Sequence, residues 1–245
     1  MALNKKVLWL ILIGLASFVA VFSYVGFKFQ KMRQAQSYFD NLDEALECPD
    51  QVKVLIIRNQ SLDSLPERIG ELINVRVLNI ANNSLKTLPF SIGLLQNLEE
   101  LSCENNQISK LPESIQNLKR LKVFNLSSNL LHIMSTELTG IDSLQKLGLS
   151  NNKIDKVDFK GFKQLEDLDL SENTIEELPS SIGQLQSLKR LDLYNNKLTR
   201  LPSSLFTLNL LEELILSGNP LNENCKKNYE DFLKLKTTGT KTDSL

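Results

Sequence analysis

Residues 98–120 read LEELSCENNQISKLPESIQNLKR, and residues 188–210, LKRLDLYNNKLTRLPSSLFTLNL, repeat their pattern. In the first stretch Leu98, Leu101, Cys103, Asn106 and Ile108 follow the spacing L-x-x-L-x-L-x-x-N-x-L. This spacing predicts one short strand and then a tight bend that the asparagine holds. A unit of 23 residues cannot bury its own apolar face, so copies of it must stack side by side. The sequence therefore predicts a solenoid with a long open surface.

The same unit recurs along most of the chain. Six of the seven steps between unit starts are 23 residues long, and the step from Leu144 to Leu165 is 21. These steps predict a repeat array over residues 52–221 with eight strand units. The units start at Val52, Val75, Leu98, Leu121, Leu144, Leu165, Leu188 and Leu211.

A side-chain amide stands at the bend of every unit, and we call this set the asparagine column. An amide offers donors and an acceptor, so it can pair with backbone groups of its own turn and of the next. Leaving such buried groups unpaired would cost about 1–3 kcal/mol each. We therefore predict a structural role and no binding role for these residues. The column is Gln60, Asn83, Asn106, Asn129, Asn152, Asn173, Asn196 and Asn219.

The second half of most units begins with Leu-Pro. Proline fixes its own φ and has no N–H to donate, so it suits the start of a short helical or 3₁₀ turn on the outer face. Ile-Gly pairs at 69–70, 92–93 and 182–183 are predicted to let the chain turn back toward the next strand. The Leu-Pro pairs begin at Leu65, Leu88, Leu111, Leu178 and Leu201.

The fourth and fifth units depart from this pattern. Met134-Ser135 and Val157-Asp158 replace Leu-Pro, and Phe159 and Phe162 lie in the shortened connection of the fifth unit. One interpretation is drift of the outer turn, with the phenylalanines refilling the core. The other is a local change of curvature that helps to shape a binding site.

Residues 7–27 contain no charged side chain. A helix of 21 residues is long enough to cross the roughly 30 Å hydrocarbon core of a bilayer. Trp9 and Tyr24 lie near its two ends, where amphipathic rings favour the interface. We predict a transmembrane helix over 7–27 behind a head of residues 1–6. The alternative is a cleaved signal peptide, which has a shorter apolar stretch and small residues at its cleavage site.

Basic residues flank both ends of this segment. Lys5 and Lys6 precede it, and Lys28, Lys31 and Arg33 follow it, so charge does not decide the orientation. A head of six residues fits a signal-anchor with its amino end in the cytoplasm. We therefore expect a single-pass membrane protein with its repeats on the non-cytoplasmic side.

The two ends of the array carry predicted caps. Residues 28–51 are predicted to hold a linker and a cap helix, because Tyr38, Phe39, Leu42, Ala45 and Leu46 recur at helical spacing and Pro49 follows. Residues 222–236 are predicted to form a closing helix that shields the last core layer. Residues 237–245, rich in Thr and Lys, are predicted to be disordered.

The composition limits the classes of function. The formal net charge is -1, which gives no reason to expect a nucleic-acid partner. Cys48, Cys103 and Cys225 are widely spaced and odd in number, so they imply neither a disulfide framework nor a metal cluster. We find no nucleophile elbow and no phosphate-binding glycine loop. The single histidine, His132, is expected at the surface. We therefore expect no enzyme, no cofactor and no metal.

The units resemble the leucine-rich repeat family, in the 23-residue L-P-x-x-I-G-x-L-x-x-L subtype found in Ras-group-related intracellular proteins and many bacterial proteins. The resemblance covers about residues 52–221. It implies an α/β right-handed solenoid with a curved parallel sheet, 3₁₀ or short helices on the outer face, and protein binding on the concave side. With residues 7–27, the expected fold is this solenoid plus one N-terminal transmembrane helix. The departures are the missing Leu-Pro pairs and the absence of cysteine-paired end caps.

One group of side chains on the predicted sheet face combines charge with an aromatic ring. Asp167, Asp169, Arg190, Asp192 and Tyr194 should be neighbours on adjacent strands. Tyrosine and arginine are frequent anchors of protein interfaces, so we predict that a protein or peptide binds here. The alternative is a solvated polar face on which Arg190 is neutralised by its own aspartates.

These observations favour a membrane-anchored protein-binding or scaffolding module. One alternative is a ligand-sensing ectodomain that acts through partner membrane proteins. Another is a structural or adhesive protein of the cell envelope.

Overall fold

The computed structural model describes residues 37–134, 136–227, 229 and 241–242. The predicted head (1–6), the predicted transmembrane helix (7–27) and the first part of the predicted linker (28–36) lie outside the described residues. Within the described ranges, no helix is both long enough and apolar enough to cross a membrane.

The described chain forms a single parallel sheet of ten strands in sequence order. Eight of them are the three-residue strands that the repeat pattern predicts, and a two-residue strand lies at each end. The strands are β1 (Tyr38–Phe39), β2 (Val54–Ile56), β3 (Val77–Asn79), β4 (Glu100–Ser102), β5 (Val123–Asn125), β6 (Lys146–Gly148), β7 (Asp167–Asp169), β8 (Arg190–Asp192), β9 (Glu213–Ile215) and β10 (Lys241–Thr242).

Each repeat strand buries its middle residue in the core and places the two flanking residues on the opposite face, because side chains alternate across a sheet. Leu101 of β4 is 1% exposed, and Phe124 of β5, beside it in register, is fully buried. The buried apolar side chains form one continuous cluster from Ala45 to Tyr229. The predicted stack with a shared core is therefore confirmed.

The asparagine column joins consecutive units by hydrogen bonds. Asn106 donates through Nδ2 to the backbone oxygens of Cys103 at 2.9 Å and Glu104 at 3.3 Å in its own turn. It also donates to the oxygen of Ile80 at 3.0 Å and accepts from the N–H of Leu85 at 3.0 Å. Both of the latter belong to the preceding unit, not to the next one as expected. The amide reaches backward because the free backbone groups of each bend point toward the following unit.

The residue before each asparagine of the column is left-handed. Asn82, Asn105 and Asn195 have φ values of 56°, 53° and 54°. Asparagine tolerates this region better than other residues with a Cβ, which accounts for the repeated Asn-Asn pairs. Ser128 and Glu172 adopt it as well, at 57° and 53°.

The outer face is built from short 3₁₀ helices, as the Leu-Pro pairs predict. Pro112 stands at the N-cap of one of them with φ of -72°, within its preferred range, and Pro66, Pro89, Pro179 and Pro202 take the same position. The helices are Glu67–Glu71, Phe90–Leu94, Glu113–Asn117, Thr136–Gly140, Ser180–Gln184 and Ser203–Thr207.

The Ile-Gly pairs allow close packing of neighbouring outer turns, and the expectation that they reverse the chain was wrong. None of the three glycines has a positive φ. A Cβ on Gly93 would lie 2.4 Å from the backbone oxygen of Ser114, and a Cβ on Gly70 would lie 2.8 Å from Cβ of Ser91. Glycine is needed here because the next turn occupies the space of a side chain.

The fifth unit replaces its outer helix with buried aromatic rings. Phe159 is fully buried and Phe162 is 3% exposed, so the phenylalanines do refill the core. Residues 157–164 contain no helix, and the chain turns at Gly161 with φ of 92°. Asp158 ties this connection to the next unit by accepting from Ser181 Oγ at 3.0 Å. Burial raises the pKa of Asp158. The hydrogen bonds that Asp158 accepts from Ser181 and Lys160 lower its pKa by more than burial raises it, so the net shift is downward.

The N-terminal cap combines a helix with a strand. Helix α1 (Leu42–Glu47) is capped by Asn41, whose Oδ1 accepts from the N–H of Glu44 at 3.0 Å, and a 3₁₀ turn follows at Pro49–Gln51. Tyr38–Phe39 are not part of the helix as predicted, because they pair in parallel with β2. This pairing satisfies backbone groups on an otherwise open sheet edge.

The C-terminal end is covered by a helical segment. Residues 223–227 are helical, Cys225 is 6% exposed, and the buried Tyr229 donates from its hydroxyl to the backbone oxygen of Leu214 at 3.2 Å. The rest of the predicted cap helix (222–236) and most of the predicted tail (237–245) lie outside the described residues. Within that tail, Lys241–Thr242 differ from the expected disorder because they pair with β9.

Candidate functional site on the exposed sheet face

The flanking residues of the eight repeat strands form two columns on the exposed face of the sheet. The register pairs Asp167 with Arg190 and Arg190 with Glu213 in the first column. It pairs Asp169 with Asp192 in the second. The sequence-predicted site residues are therefore neighbours, as expected from their positions in adjacent units.

Arg190 lies at the centre of a network of carboxylates. Its Nη2 is 2.7 Å from Asp192 Oδ2, its Nε is 3.1 Å from Glu213 Oε2, and its Nη1 is 3.3 Å from Asp167 Oδ1. Three partners on three strands occupy the guanidinium. This geometry fits the alternative in which Arg190 is neutralised by its own surface, so the residue fastens β7, β8 and β9 together. Glu213 was not predicted as part of the cluster.

Asp192 and Asp169 lie side by side with different partners. Asp192 is 8% exposed, and this burial raises its pKa. The hydrogen bond from the N–H of Tyr194 and the positive charge of Arg190 lower the pKa, whereas the negative charge of Asp169 raises it, and the net shift is upward. Asp169 accepts from the N–H of Ser171 at 3.0 Å and from its hydroxyl at 2.7 Å. Among the described contacts no basic side chain pairs with Asp169, which is half-buried at the edge of the sheet face.

Tyr194 carries the aromatic ring of the predicted site. Its backbone N–H donates to Asp192 Oδ1 at 3.0 Å, which fixes the start of the bend. Its side chain is 45% exposed, a large value for an aromatic residue on this face. Asp192 therefore fixes the backbone from which the exposed ring of Tyr194 extends.

A hollow of about 240 Å³ lies beside this cluster, over strands β5 to β8. Its walls include Asn125 and Ser127 on one side and Asp167, Asp169 and Arg190 on the other. Three residues of the predicted site thus line it, whereas Asp192 and Tyr194 do not. Lys146 also lines it, and its side chain is exposed.

Gly148 forms the floor of the hollow. The equivalent positions of the other repeat strands carry side chains: Ile56, Asn79, Ser102, Asn125, Asp169, Asp192 and Ile215. A Cβ on Gly148 would lie 2.9 Å from Asn125 Oδ1 and 3.0 Å from Ser127 Oγ. The missing side chain creates the depression. The hollow was not identified from the sequence.

The exposed face is negatively charged even though the chain is nearly neutral. The charged residues on this face are the flanking residues of the strands and the residues two places after each strand. They comprise six carboxylates and three basic groups, a net of three negative charges. Four of the carboxylates surround Arg190 and the hollow. The acidic residues are Glu100, Glu104, Asp167, Asp169, Asp192 and Glu213, and the basic ones are Arg58, Lys146 and Arg190.

The described residues offer little for catalysis. His132 is exposed in an outer turn. Cys103 is fully buried, and burial raises the pKa of its thiol, which disfavours the reactive thiolate. Within the part of the chain that the structure describes, no group of three or more His, Cys, Asp or Glu side chains is placed to hold a metal ion.

Family models match most of the array. A model described as a leucine-rich repeat region matches residues 44–160, and a leucine rich repeat model matches residues 163–221. A third, for two copies of the repeat, spans residues 142–180 and bridges the irregular fifth unit. A comparison with curated proteins gives no match.

Many solved structures share the fold. A chain of the Toll–Spatzle complex from Drosophila is 26% identical with a TM-score of 0.67 over 71% of this chain. Two internalins from Listeria monocytogenes, InlF and InlC2, are 21% and 24% identical with TM-scores of 0.69 and 0.64 over 80% and 73% of this chain. The matches cover 25% of the Toll-complex chain, 55% of InlF and 76% of InlC2, so this chain corresponds to only part of the first two.

Proposed function

Because this chain belongs to the leucine-rich repeat family, whose models match residues 44–160 and 163–221, we propose that it is a protein-binding module that takes its partner on the exposed sheet face. The observation that carries the proposal is the hollow above Gly148, flanked by the Arg190 network and followed by the exposed ring of Tyr194. A concave site with an aromatic anchor beside it is the usual form of an interface centre. The Leu-Pro and Ile-Gly pairs support the 23-residue subtype.

The charge of this face selects the partner. Arg190 is occupied by three carboxylates, whereas Asp169 is paired with no base among the described residues. Lys146 lines the hollow as well, so the two carboxylates there, Asp167 and Asp169, lie among two basic groups. Because Arg190 is already paired and Asp169 is not, we infer that a lysine or arginine side chain from an extended segment of another protein would bind beside Asp169.

The Drosophila match supports binding of a protein ligand. That chain belongs to the complex of Toll with Spatzle, and it is 26% identical to this one over the shared region. The same match favours a second candidate, a ligand-sensing ectodomain that acts through partner membrane proteins. In either case the ligand would contact the sheet face first.

Peptide selection tests the proposal without knowledge of the partner. A random peptide library displayed on phage would be selected on the chain and then tested against Asp169→Asn and Gly148→Leu. We expect the selected peptides to be enriched in Lys and Arg and to lose affinity for both variants. Asp169→Asn keeps the acceptor that Ser171 uses, so the sheet should stay intact. The matched control is Glu100→Gln, an exposed carboxylate of β4 outside the hollow.

Equal binding to the wild type and to both variants would contradict the proposal, as would selected peptides without basic residues. Tyr194→Ala adds an independent test. It should weaken the same peptides by about tenfold or more, as loss of an interface anchor does, and leave the melting temperature unchanged. Arg190 is a poor choice for this purpose because its replacement would disturb three strands.

We further propose that residues 7–27 anchor the chain in a membrane as a single pass, with the repeats on the non-cytoplasmic side. The uncharged run of residues 7–27 supports the anchor. Protease added to intact cells should degrade the repeats, whereas protection of the repeats would reverse the orientation. Release of the chain from membranes by alkaline carbonate would instead indicate a cleaved or uninserted segment.

A further inference from the structure

Three large apolar side chains are exposed on the outer face of the first two units. Phe90 and Leu94, at the two ends of one 3₁₀ helix, are 66% and 58% exposed. Ile73, in the preceding unit, is 50% exposed. Leu94 lies against the preceding helix, since its Cδ1 would be 2.9 Å from a Cβ on Gly70. We call Ile73, Phe90 and Leu94 the outer patch.

The fold does not require apolar residues at these three positions. Other units place polar or small residues there, and their 3₁₀ helices form equally well. The first helical position holds Glu67, Glu113, Thr136, Ser180 and Ser203 in the other units. The last helical position holds Glu71, Asn117, Gly140, Gln184 and Thr207. The position of Ile73 holds Gln96, Lys119, Asp142, Gln186 and Asn209. Apolar groups that the core does not need mark a contact surface.

The outer patch lies at the end of the array that is attached to the uncharged segment. Residues 28–36 separate residues 7–27 from the described domain, and nine extended residues reach at most about 30 Å. Neighbouring strands of a sheet are about 4.8 Å apart, so the first two units lie within roughly 15 Å of β1. The outer patch lies on the opposite face of these same two units, so we infer that a connection of up to about 30 Å lets it meet a bilayer that holds residues 7–27.

The charges of the intervening segment are compatible with lipid. Residues 28–36 contain Lys28, Lys31 and Arg33 and no acidic residue. Basic residues beside a membrane segment are attracted to anionic headgroups. Aromatic and aliphatic side chains are also the groups that enter the lipid interface when amphipathic helices bind a membrane surface.

We propose that Ile73, Phe90 and Leu94 insert into the lipid interface beside the N-terminal membrane segment. The outer face of the first two units then lies on the bilayer. The sheet face, which is on the opposite side of the solenoid, is turned away from the lipid and toward a partner. This inference rests on the membrane anchor proposed above, and its test separates the two.

Tryptophan quenching by lipid tests the contact in the full-length chain. Trp9 is the only tryptophan of the chain and lies in the uncharged segment. Wild-type protein in bilayer nanodiscs made with brominated phosphatidylcholine and phosphatidylserine reports on the anchor through Trp9. In a Trp9→Phe background, Phe90→Trp and Leu94→Trp report on the outer patch. Both positions are exposed, so neither change should disturb the core. The matched control is Tyr194→Trp in the same background, on the sheet face.

We expect brominated lipid to remove most of the emission at positions 9, 90 and 94 and little at position 194. Quenching at position 9 without quenching at positions 90 and 94 would overturn the outer patch and leave the anchor standing. Absence of quenching at position 9 would overturn the anchor, and the proposal with it. Emission at position 90 that shifts with protein concentration and ignores brominated lipid would show that a second copy covers the patch, which also overturns the proposal.

Discussion

The side-chain amide of Asn106 donates a hydrogen bond to the backbone oxygen of Ile80 at 3.0 Å, across 26 residues of chain. This contact joins two units at the bend, beyond the ends of their paired strands. The same contact recurs along the asparagine column, so hydrogen bonds join neighbouring bends as well as neighbouring strands. Buried polar groups with full partners are the condition for such a stack to exclude water.

Asn106→Ala should therefore destabilise the whole array. It leaves the buried N–H of Leu85 without its acceptor, which costs about 1–3 kcal/mol. It also removes one of the two donors to the oxygen of Ile80, which keeps its bond from Asn83. We expect urea unfolding to show a loss of about 2–4 kcal/mol. Asn117→Ala, an exposed asparagine of an outer helix, is the control and should change the free energy of unfolding by less than about 0.5 kcal/mol. Equal stability of the two variants would refute the structural role of the column.

Gly93→Ala should destabilise the array through overpacking. The added methyl would lie 2.4 Å from the backbone oxygen of Ser114, so the outer turns would have to separate. Overpacking of this kind costs about 1–3 kcal/mol. Thermal unfolding followed by circular dichroism should show a lower melting temperature. The exposed Gln116→Ala in the adjacent turn serves as the control. A melting temperature for Gly93→Ala equal to that of the wild type would mean that the outer turns are more loosely packed than described.

Arg190→Ala should destabilise the array more at neutral pH than in acid. The change leaves Asp167, Asp192 and Glu213 adjacent without their shared cation, which we expect to cost about 1–2 kcal/mol at neutral pH for a partly buried network. Lys189→Ala is the control: it removes an exposed ion pair with Glu166 and should leave the free energy of unfolding nearly unchanged.

The pH dependence follows from Asp192, whose pKa is already raised by burial. A carboxyl with a raised folded-state pKa contributes stability below its unfolded pKa and loses it as the pH rises through the folded value. Without Arg190 that pKa rises further, so the penalty of the variant should shrink as the pH falls toward about 4. Denaturant unfolding at both pH values measures this. A penalty that is independent of pH would show that Arg190 stabilises by packing alone.

Phe159→Ala and Phe90→Ala form a matched pair. Phe159 is fully buried in the shortened fifth unit, so its truncation should cost about 3–5 kcal/mol. Phe90 is 66% exposed and should cost less than about 0.5 kcal/mol in solution. Equilibrium unfolding of both variants checks the difference. A small loss for Phe159→Ala would mean that the fifth unit is not packed into the common core.

The sequence predicts those features that one residue type per repeat determines. The leucine rows predict the strands, the asparagine column predicts the bends, and the Leu-Pro pairs predict the outer 3₁₀ turns. Each of these depends on contacts between equivalent positions of neighbouring units, so the repeat length alone aligns them. The five predicted site residues are neighbours for the same reason.

Features that depend on space between units could not be predicted in this way. The hollow above Gly148 exists because Asn125 and Ser127 stand over an absent side chain, and its depth is a three-dimensional property. Glu213 stands at the position of the next unit that is equivalent to Arg190, but only the conformation of the guanidinium shows that the two side chains form an ion pair. Tyr38–Phe39 form a strand because they meet an open edge, which two residues of sequence do not reveal.

The central claim is that all eight repeat units share one core and fold as one body. Differential scanning calorimetry of the full-length chain in nanodiscs, and of the two halves made by cutting between Leu118 and Leu121, tests it most directly. We predict a single transition for the intact chain, with equal calorimetric and van't Hoff enthalpies, and no cooperative transition for either half. Two halves that each melt cooperatively, at temperatures that together reproduce the intact trace, would contradict it.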